Sequence, residues 1–255
     1  MTLDRQRVID TQRLVIEVFR GFREELLGAF GNFEHTSKPD HSPVTVYDVK
    51  VEETLKARLS EAFPEIGFTG EETGASGNPD TYWLVDPIDG TSSFIRGLPF
   101  STNMAALVEN GQVIAAVIYD FVNDVLYTAL KGEGAFRDGQ SIHIKERPEG
   151  DQFIYSMTPN KIGPIKEALG ELKMRTLLPV GAAGHTYVLL AEGKIDGIVN
   201  LNKGYGLHDN APGLFICEEA GAEILPYDEE SGVYRSQFIV GSSSVVQAIE
   251  HSGLL

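Results

Sequence analysis

Apolar positions along the chain follow three successive rhythms. Between residues 8 and 30 they recur every three or four places, at Val8, Val15, Phe19, Phe22, Leu26 and Phe30, which predicts a long amphipathic helix. After a polar loop over 38–43, Val51, Leu55, Leu59 and Phe63 repeat that spacing and predict a second helix. The rhythm then shortens. Residues 67–70 and 82–85 read as short strands. The runs 113–120 and 124–136, with turns at Asn110-Gly111 and Asn123-Asp124, read as an antiparallel meander. From about Pro159 the pattern alternates: helices near 164–169 and 183–192, a strand over 195–199, a helix over 209–220, two more strands and a closing helix. Helices, then antiparallel sheet, then mixed elements predict an α+β fold of stacked layers.

Bulk composition sets bounds on this picture. A chain of 255 residues with 42% hydrophobic side chains can bury a substantial core and sits near the upper size of one compact domain. One domain over 1–255 is expected, with an N-terminal α+β lobe to about residue 150 and a C-terminal α/β lobe from about 151. No run approaches eighteen apolar residues and the N-terminus lacks a basic-then-apolar leader, so a cytoplasmic protein without a membrane anchor is expected. Cys217 is the only cysteine, which excludes an internal disulfide and a thiolate metal site. A formal charge of -16 argues against nucleic-acid or anionic-membrane partners. An anionic substrate would need a cation recruited locally.

The acids suggest where that cation sits. Glu71 and Glu72 follow a strand and Gly70, Asp86 closes the next strand, Asp89 comes three residues later, and Asp209 opens a helix. Element ends are where side chains from distant segments converge. Clustered carboxylates repel and protonate unless a cation neutralises them, and oxygen donors without cysteines suit a hard ion, Mg²⁺ or Mn²⁺. Pro87 is expected to stop the strand, so that Asp86 and Asp89 point into one site and the Ile88 carbonyl offers a further oxygen. Gly90 permits close backbone approach, and Gly90-Thr91-Ser92 read as a helix start whose free N–H groups suit a phosphate. Taken alone, D-x-x-D-G is also a common turn with capping aspartates, Glu71-Glu72 an ordinary solvated pair, and Asp209 an ordinary helix cap. Their combination in this order favours a site.

The stretches GEE (70–72), WLVDPIDGTSSFIRGLPF (83–100) and HDNAPGLFICEEAGAEI (208–224) resemble the signatures of the inositol monophosphatase family. The segment 117–142 and the upstream KPDHSPVTVYD resemble it too, so the likeness covers nearly the whole chain. It implies a layered αβαβα sandwich and a Mg²⁺-dependent, lithium-sensitive-type phosphomonoesterase acting on a small phosphorylated metabolite, usually as a homodimer. By position, it implies a first metal on Glu71, Asp86 and the Ile88 carbonyl, a second among Asp86, Asp89 and Asp209, and a looser third near Glu71. It also implies that Glu71 and Thr91 orient and deprotonate the attacking water, with Asp48 hydrogen-bonded to Thr91. Gly90 and Thr91 would hold the phosphate.

Departures from the family pattern gather on the leaving-group side. His208 stands where the family has Trp, and the sugar-facing loop reads Gly181-Ala182-Ala183-Gly184-His185. A glutamate that binds inositol hydroxyls in the family is replaced within Asn200-Leu201-Asn202-Lys203. Gly181, Ala182, Ala183, His185, Asn200, Lys203 and His208, with Asp89, are therefore the expected substrate contacts. Fructose 1,6-bisphosphate, histidinol phosphate and 3′-phosphoadenosine 5′-phosphate stand beside inositol phosphate as substrates. A catalytically silent metal- or phosphate-binding regulator is the non-enzyme alternative, and it would be marked by loss of a metal carboxylate or of the Thr91 hydroxyl.

Overall fold

The computed structural model describes residues 2–31, 35–39, 42–158, 162–178, 181–202, 206–226 and 237–253. The helical rhythm at the start becomes α1 (Arg5–Ala29) and α2 (Val46–Ala62). Asp4 caps α1 by accepting from the Arg7 N–H, and Thr45 caps α2 in a reciprocal box with Asp48. Between them β1 (Thr36–Ser37) pairs with β2 (Pro43–Val44), tying the base of the expected polar loop. Residues 40 and 41 of that loop lie outside the described residues.

An eight-stranded sheet follows. It comprises β3 (Gly67–Gly70), β4 (Gly74–Ser76), β5 (Thr81–Asp89), β6 (Thr102–Glu109), β7 (Gln112–Asp120), β8 (Val125–Leu130), β9 (Gly134–Arg137) and β10 (Gln140–Ile142). Their order across the sheet is β10-β9-β8-β7-β6-β5-β3-β4. The expected meander is there, and its first turn, Asn110-Gly111, takes positive φ at both positions, 50° and 76°, as a tight hairpin requires. Only β3 and β5 run parallel among these neighbours. After β5 comes the four-residue helix α3 (Thr91–Phe94).

The remainder builds a five-stranded mixed sheet, ordered β12-β11-β13-β15-β14. Its strands are β11 (Phe153–Ser156), β12 (Arg175–Leu177), β13 (Gly197–Asn200), β14 (Glu223–Pro226) and β15 (Phe238–Gly241). They alternate with α4 (Ile162–Glu171), α5 (Ala183–Ala191), α6 (Leu207–Glu219) and α7 (Ser243–His251). The helices and the 195–199 strand fall where the sequence predicts them, the strand starting two residues later. β11 and β12 have no counterpart in the periodicity of the sequence.

Alternation along the strands sorts the core into layers. On one face of the large sheet Trp83, Val85, Leu107 and Val117 pack against Val15, Phe19, Leu55 and Leu59 of α1 and α2. On the other, Leu84, Ala106 and Ile118 join Tyr187, Leu190, Leu214 and Phe215 of α5 and α6, which also meet Ile198 and Val240 of the small sheet. Beyond that sheet, Ile154, Val199 and Ile239 pack against Ile165 and Leu169 of α4 and Val245 and Ile249 of α7. The order helix, sheet, helix, sheet, helix is the αβαβα sandwich.

Candidate active site

Pro87 does not end its strand. β5 runs on to Asp89, and its pairing with β6 shifts: Asp86 faces Met104 whereas Asp89 faces Thr102. Three steps on β5 thus match two on β6, which is a bulge. In a regular strand, residues three apart lie on opposite faces. The extra residue brings Asp89 round to the side that Asp86 already occupies. The parallel pairing of β3 with β5 sets Gly70 opposite Val85, and the Glu71 N–H donates to the Val85 carbonyl, so Glu71 emerges beside Asp86.

Two helix starts close the site. The Ala183 and Gly184 amides at the head of α5 donate to Asp89 Oδ1 and Oδ2 at 2.9 and 2.7 Å, and the Thr102 hydroxyl adds 2.8 Å to Oδ2. Gly184 is needed for this approach, because a Cβ there would stand 2.4 Å from Thr102 Oγ1 and 3.0 Å from Asp89 Oδ2. On α6, Asp209 accepts from the Gly206 N–H at 2.6 Å. Glu71, Asp86, Ile88, Asp89, Thr91 and Asp209 together line one cavity of about 270 Å³, walled beyond them by Met157 and Thr186.

Their charges are strained against one another. Burial lifts the Asp86 carboxyl well above the usual range, and Glu71, Asp89 and Asp209 add repulsion. Asp89 is raised by burial too, against the pull of its three donors. Asp209 is pushed up to about 6, mainly by burial, with His208 opposing and Asp89 and Glu71 reinforcing. Asp86 Oδ1 is buried with no hydrogen-bond partner among the described residues. An orphaned carboxylate oxygen inside a group of mutually repelling acids fits a divalent cation. As they stand, no three described Asp, Glu, His or Cys side chains form a ready ion cage. Glu71 is turned instead to Lys38, which also pairs with Glu72. Burial works against the Lys38 charge, but its bonds to the two glutamates outweigh that and raise its pKa. No spacing rule identifies Lys38, which the sequence shows only as part of a polar loop.

Beside the acids, Gly90 takes φ 78°, and a Cβ there would lie 2.6 Å from the Phe100 carbonyl oxygen. It caps α3, and among the described residues the Thr91 and Ser92 amides have no acceptor.

The family model described as the inositol monophosphatase family matches residues 6–254. The chain belongs to the inositol monophosphatase family. An inositol-1-monophosphatase of Mesorhizobium japonicum is 29% identical over 229 residues, 86% of this chain and 85% of the relative. A Nus factor SuhB of Xylella fastidiosa is 30% identical over 220 residues, 80% and 78% of the two chains. A solved Thermotoga maritima IMPase superposes with a TM-score of 0.80 at 24% identity, covering 95% of this chain and 98% of its own, which shows the shared fold. Members of the family are metal-dependent phosphoric monoester hydrolases, so the expected fold and enzyme class are borne out.

Several of the other expected site residues take partners of their own. The Thr91 hydroxyl has one proton and gives it to the Ile88 carbonyl at 2.9 Å, not to Asp48. Asp48 instead accepts from the Thr45 N–H at 2.8 Å, closing the α2 cap, and burial pushes its carboxyl up to about 7. Gly181, Ala182 and Ala183 do line the cavity. His185 does not: its Nε2 meets Asp120 Oδ2 at 3.0 Å, and it borders a separate space of about 420 Å³ with Phe100, Tyr127 and Tyr155. Asn200 is buried, its Oδ1 accepting from the Asn202 N–H at 3.0 Å. His208 Nε2 stands 3.9 Å from Glu71 Oε2 and 3.8 Å from Asp209 Oδ2, beside the carboxylates. Lys203 lies outside the described residues.

Proposed function

We propose that this chain hydrolyses a small phosphate monoester with Mg²⁺, or Mn²⁺ in its place, held by Glu71, Asp86, Asp89, Asp209 and the Ile88 carbonyl. The observation that carries this is the unpartnered Asp86 oxygen, buried with Asp89 and facing the half-buried Glu71 and Asp209. Divalent ions bound there supply charge neutralisation for the phosphoryl oxygens and a more acidic water. The chain's own groups do the rest. The free Thr91 and Ser92 amides donate to the phosphate, and Gly90 lets the ester approach them. Thr91, anchored through its proton to Ile88, presents its lone pairs to the attacking water, and Glu71, once released from Lys38, accepts that water's proton. Asp89, fixed by α5, keeps its charge in place under three donors.

Gly181, Ala182, Ala183, Met157 and Thr186 form a small wall against the leaving group, which suits inositol 1-phosphate or a comparably compact sugar phosphate. The chain is read as one functional unit working in the cytoplasm as a homodimer. Among the described residues Val46, Leu98 and Leu178 are large exposed hydrophobics, the kind of side chain that a second copy would cover. Among the described residues no helix is long and apolar enough to cross a membrane.

The similarity to a protein named as a Nus factor is what a non-enzymatic reading would draw on. Retention of all four carboxylates and of Thr91 favours turnover. The test is phosphate release from inositol 1-phosphate, fructose 1,6-bisphosphate, histidinol phosphate and 3′-phosphoadenosine 5′-phosphate, with Mg²⁺, with Mn²⁺ and in chelator. Metal-dependent release from at least one ester is expected. Full activity in chelator, or none with any ester and metal, would overturn the proposal.

A further inference from the structure

We propose that Glu52, a buried carboxylate on α2 outside the phosphate chemistry, is the positioning residue that sets Glu71 at the metal site. The inference rests on Glu71 being a metal ligand. Glu52 is fully buried and forms no ion pair among the described residues. Its charge is met by donors from a single turn. Oε1 accepts from the Glu72 N–H at 2.9 Å, and Oε2 accepts from the Thr73 N–H and the Thr73 hydroxyl, both at 2.8 Å. These donors sit on the two residues that follow Glu71.

The residue before Glu71 is shaped to the same contact. A Cβ on Gly70 would stand 2.1 Å from Glu52 Oε2 and 2.5 Å from its Cδ, so only glycine lets the carboxylate lie against the chain here. From the other side the Glu71 N–H is held by the Val85 carbonyl at 3.2 Å. Glu71 is thus clamped between the β5 backbone and an α2 carboxylate nineteen positions upstream.

A merely structural turn does not call for a charge. Burying a carboxylate is unfavourable unless its lone pairs are filled, and a neutral side chain would avoid that cost. A carboxylate, however, accepts on both oxygens and donates from neither, so it alone among side chains of this length satisfies two N–H groups and a hydroxyl arriving together. Glutamine in its place would turn an NH₂ against either the Glu72 or the Thr73 N–H and open the turn. Groups that orient a metal ligand commonly change metal affinity ten- to a hundred-fold when altered.

The experiment is a Mn²⁺ titration of the full chain, reading free Mn²⁺ by electron paramagnetic resonance, with circular dichroism and thermal unfolding in parallel. Wild type, Glu71→Gln, Glu52→Gln and Thr73→Val are compared. Glu52→Gln is expected to keep a cooperative fold and weaken the tightest Mn²⁺ site about ten- to a hundred-fold. Thr73→Val removes only the hydroxyl and should weaken it about fivefold. A turn that merely stabilises the fold would shift the thermal midpoint and leave Mn²⁺ affinity alone. Wild-type affinity in folded Glu52→Gln, with affinity lost in Glu71→Gln, overturns the positioning role. Unchanged affinity in Glu71→Gln instead overturns the metal-ligand reading beneath it. If Glu52→Gln does not fold, Thr73→Val decides: weakened binding supports the role and unchanged binding removes it.

Discussion

Asp86 and Asp89 lie three positions apart on β5 but face Met104 and Thr102, which are two positions apart on β6. That single extra residue puts both carboxylates on one side of the sheet. Their surroundings then diverge: Asp89 is held by three donors, whereas one Asp86 oxygen has no partner among the described residues.

Asp86→Asn should therefore separate stability from function. The substitution removes a buried charge and its repulsion from Glu71, Asp89 and Asp209 without opening a cavity. At pH 7.5 without metal the thermal midpoint is expected to rise by several degrees, while turnover falls by at least about a hundredfold. A midpoint below wild type would show that Asp86 is held by favourable contacts.

Asp89→Asn should move stability the other way. An amide must present its NH₂ to the Ala183 N–H, or to the Gly184 N–H and the Thr102 hydroxyl, leaving a buried donor unmet. Loss of about 1–3 kcal/mol in denaturant unfolding is expected together with loss of activity. Stability equal to wild type would mean that α5 does not depend on this carboxylate.

The pH dependence of the metal-free protein follows from Asp48 and Asp209, raised to about 7 and about 6 by burial. Between about pH 4 and pH 7 the folded chain keeps protons that the unfolded chain has released, so stability falls as pH rises through that window. Below it both states are protonated and the penalty vanishes. Thermal midpoints should be higher at pH 5 than at pH 7.5, and added Mg²⁺ should raise the midpoint more at pH 7.5. A midpoint that climbs from pH 5 to 7.5 without metal would contradict this.

His185→Ala should lower stability without changing substrate choice. Its ring is joined to Asp120 and stacked edge-on to Phe100, away from the cavity of the acids. The ratio of kcat/KM for inositol 1-phosphate and fructose 1,6-bisphosphate is expected to stay within about twofold of wild type, on the view that only contacts to the leaving group discriminate. A larger change would return His185 to the substrate side.

What the sequence determined alone is what short stretches can carry. The helical period of α1 and α2, the meander with its Asn110-Gly111 turn, the set of acids at element ends and the family likeness all lie in runs of some ten to twenty residues. Tertiary structure decided the rest. Whether Pro87 ends a strand or sits in a bulge depends on β6, which supplies the register. Lys38 reaches Glu71 across 33 positions, His185 reaches Asp120 across 65, and Asp89 meets the α5 amides across 94 and 95. Each pairing depends on how whole layers pack, and a side chain takes the partner that packing brings within reach. The same residue types are present in the sequence, but local periodicity holds no information on which of several acids a half-buried lysine or histidine, or a buried amide, will meet.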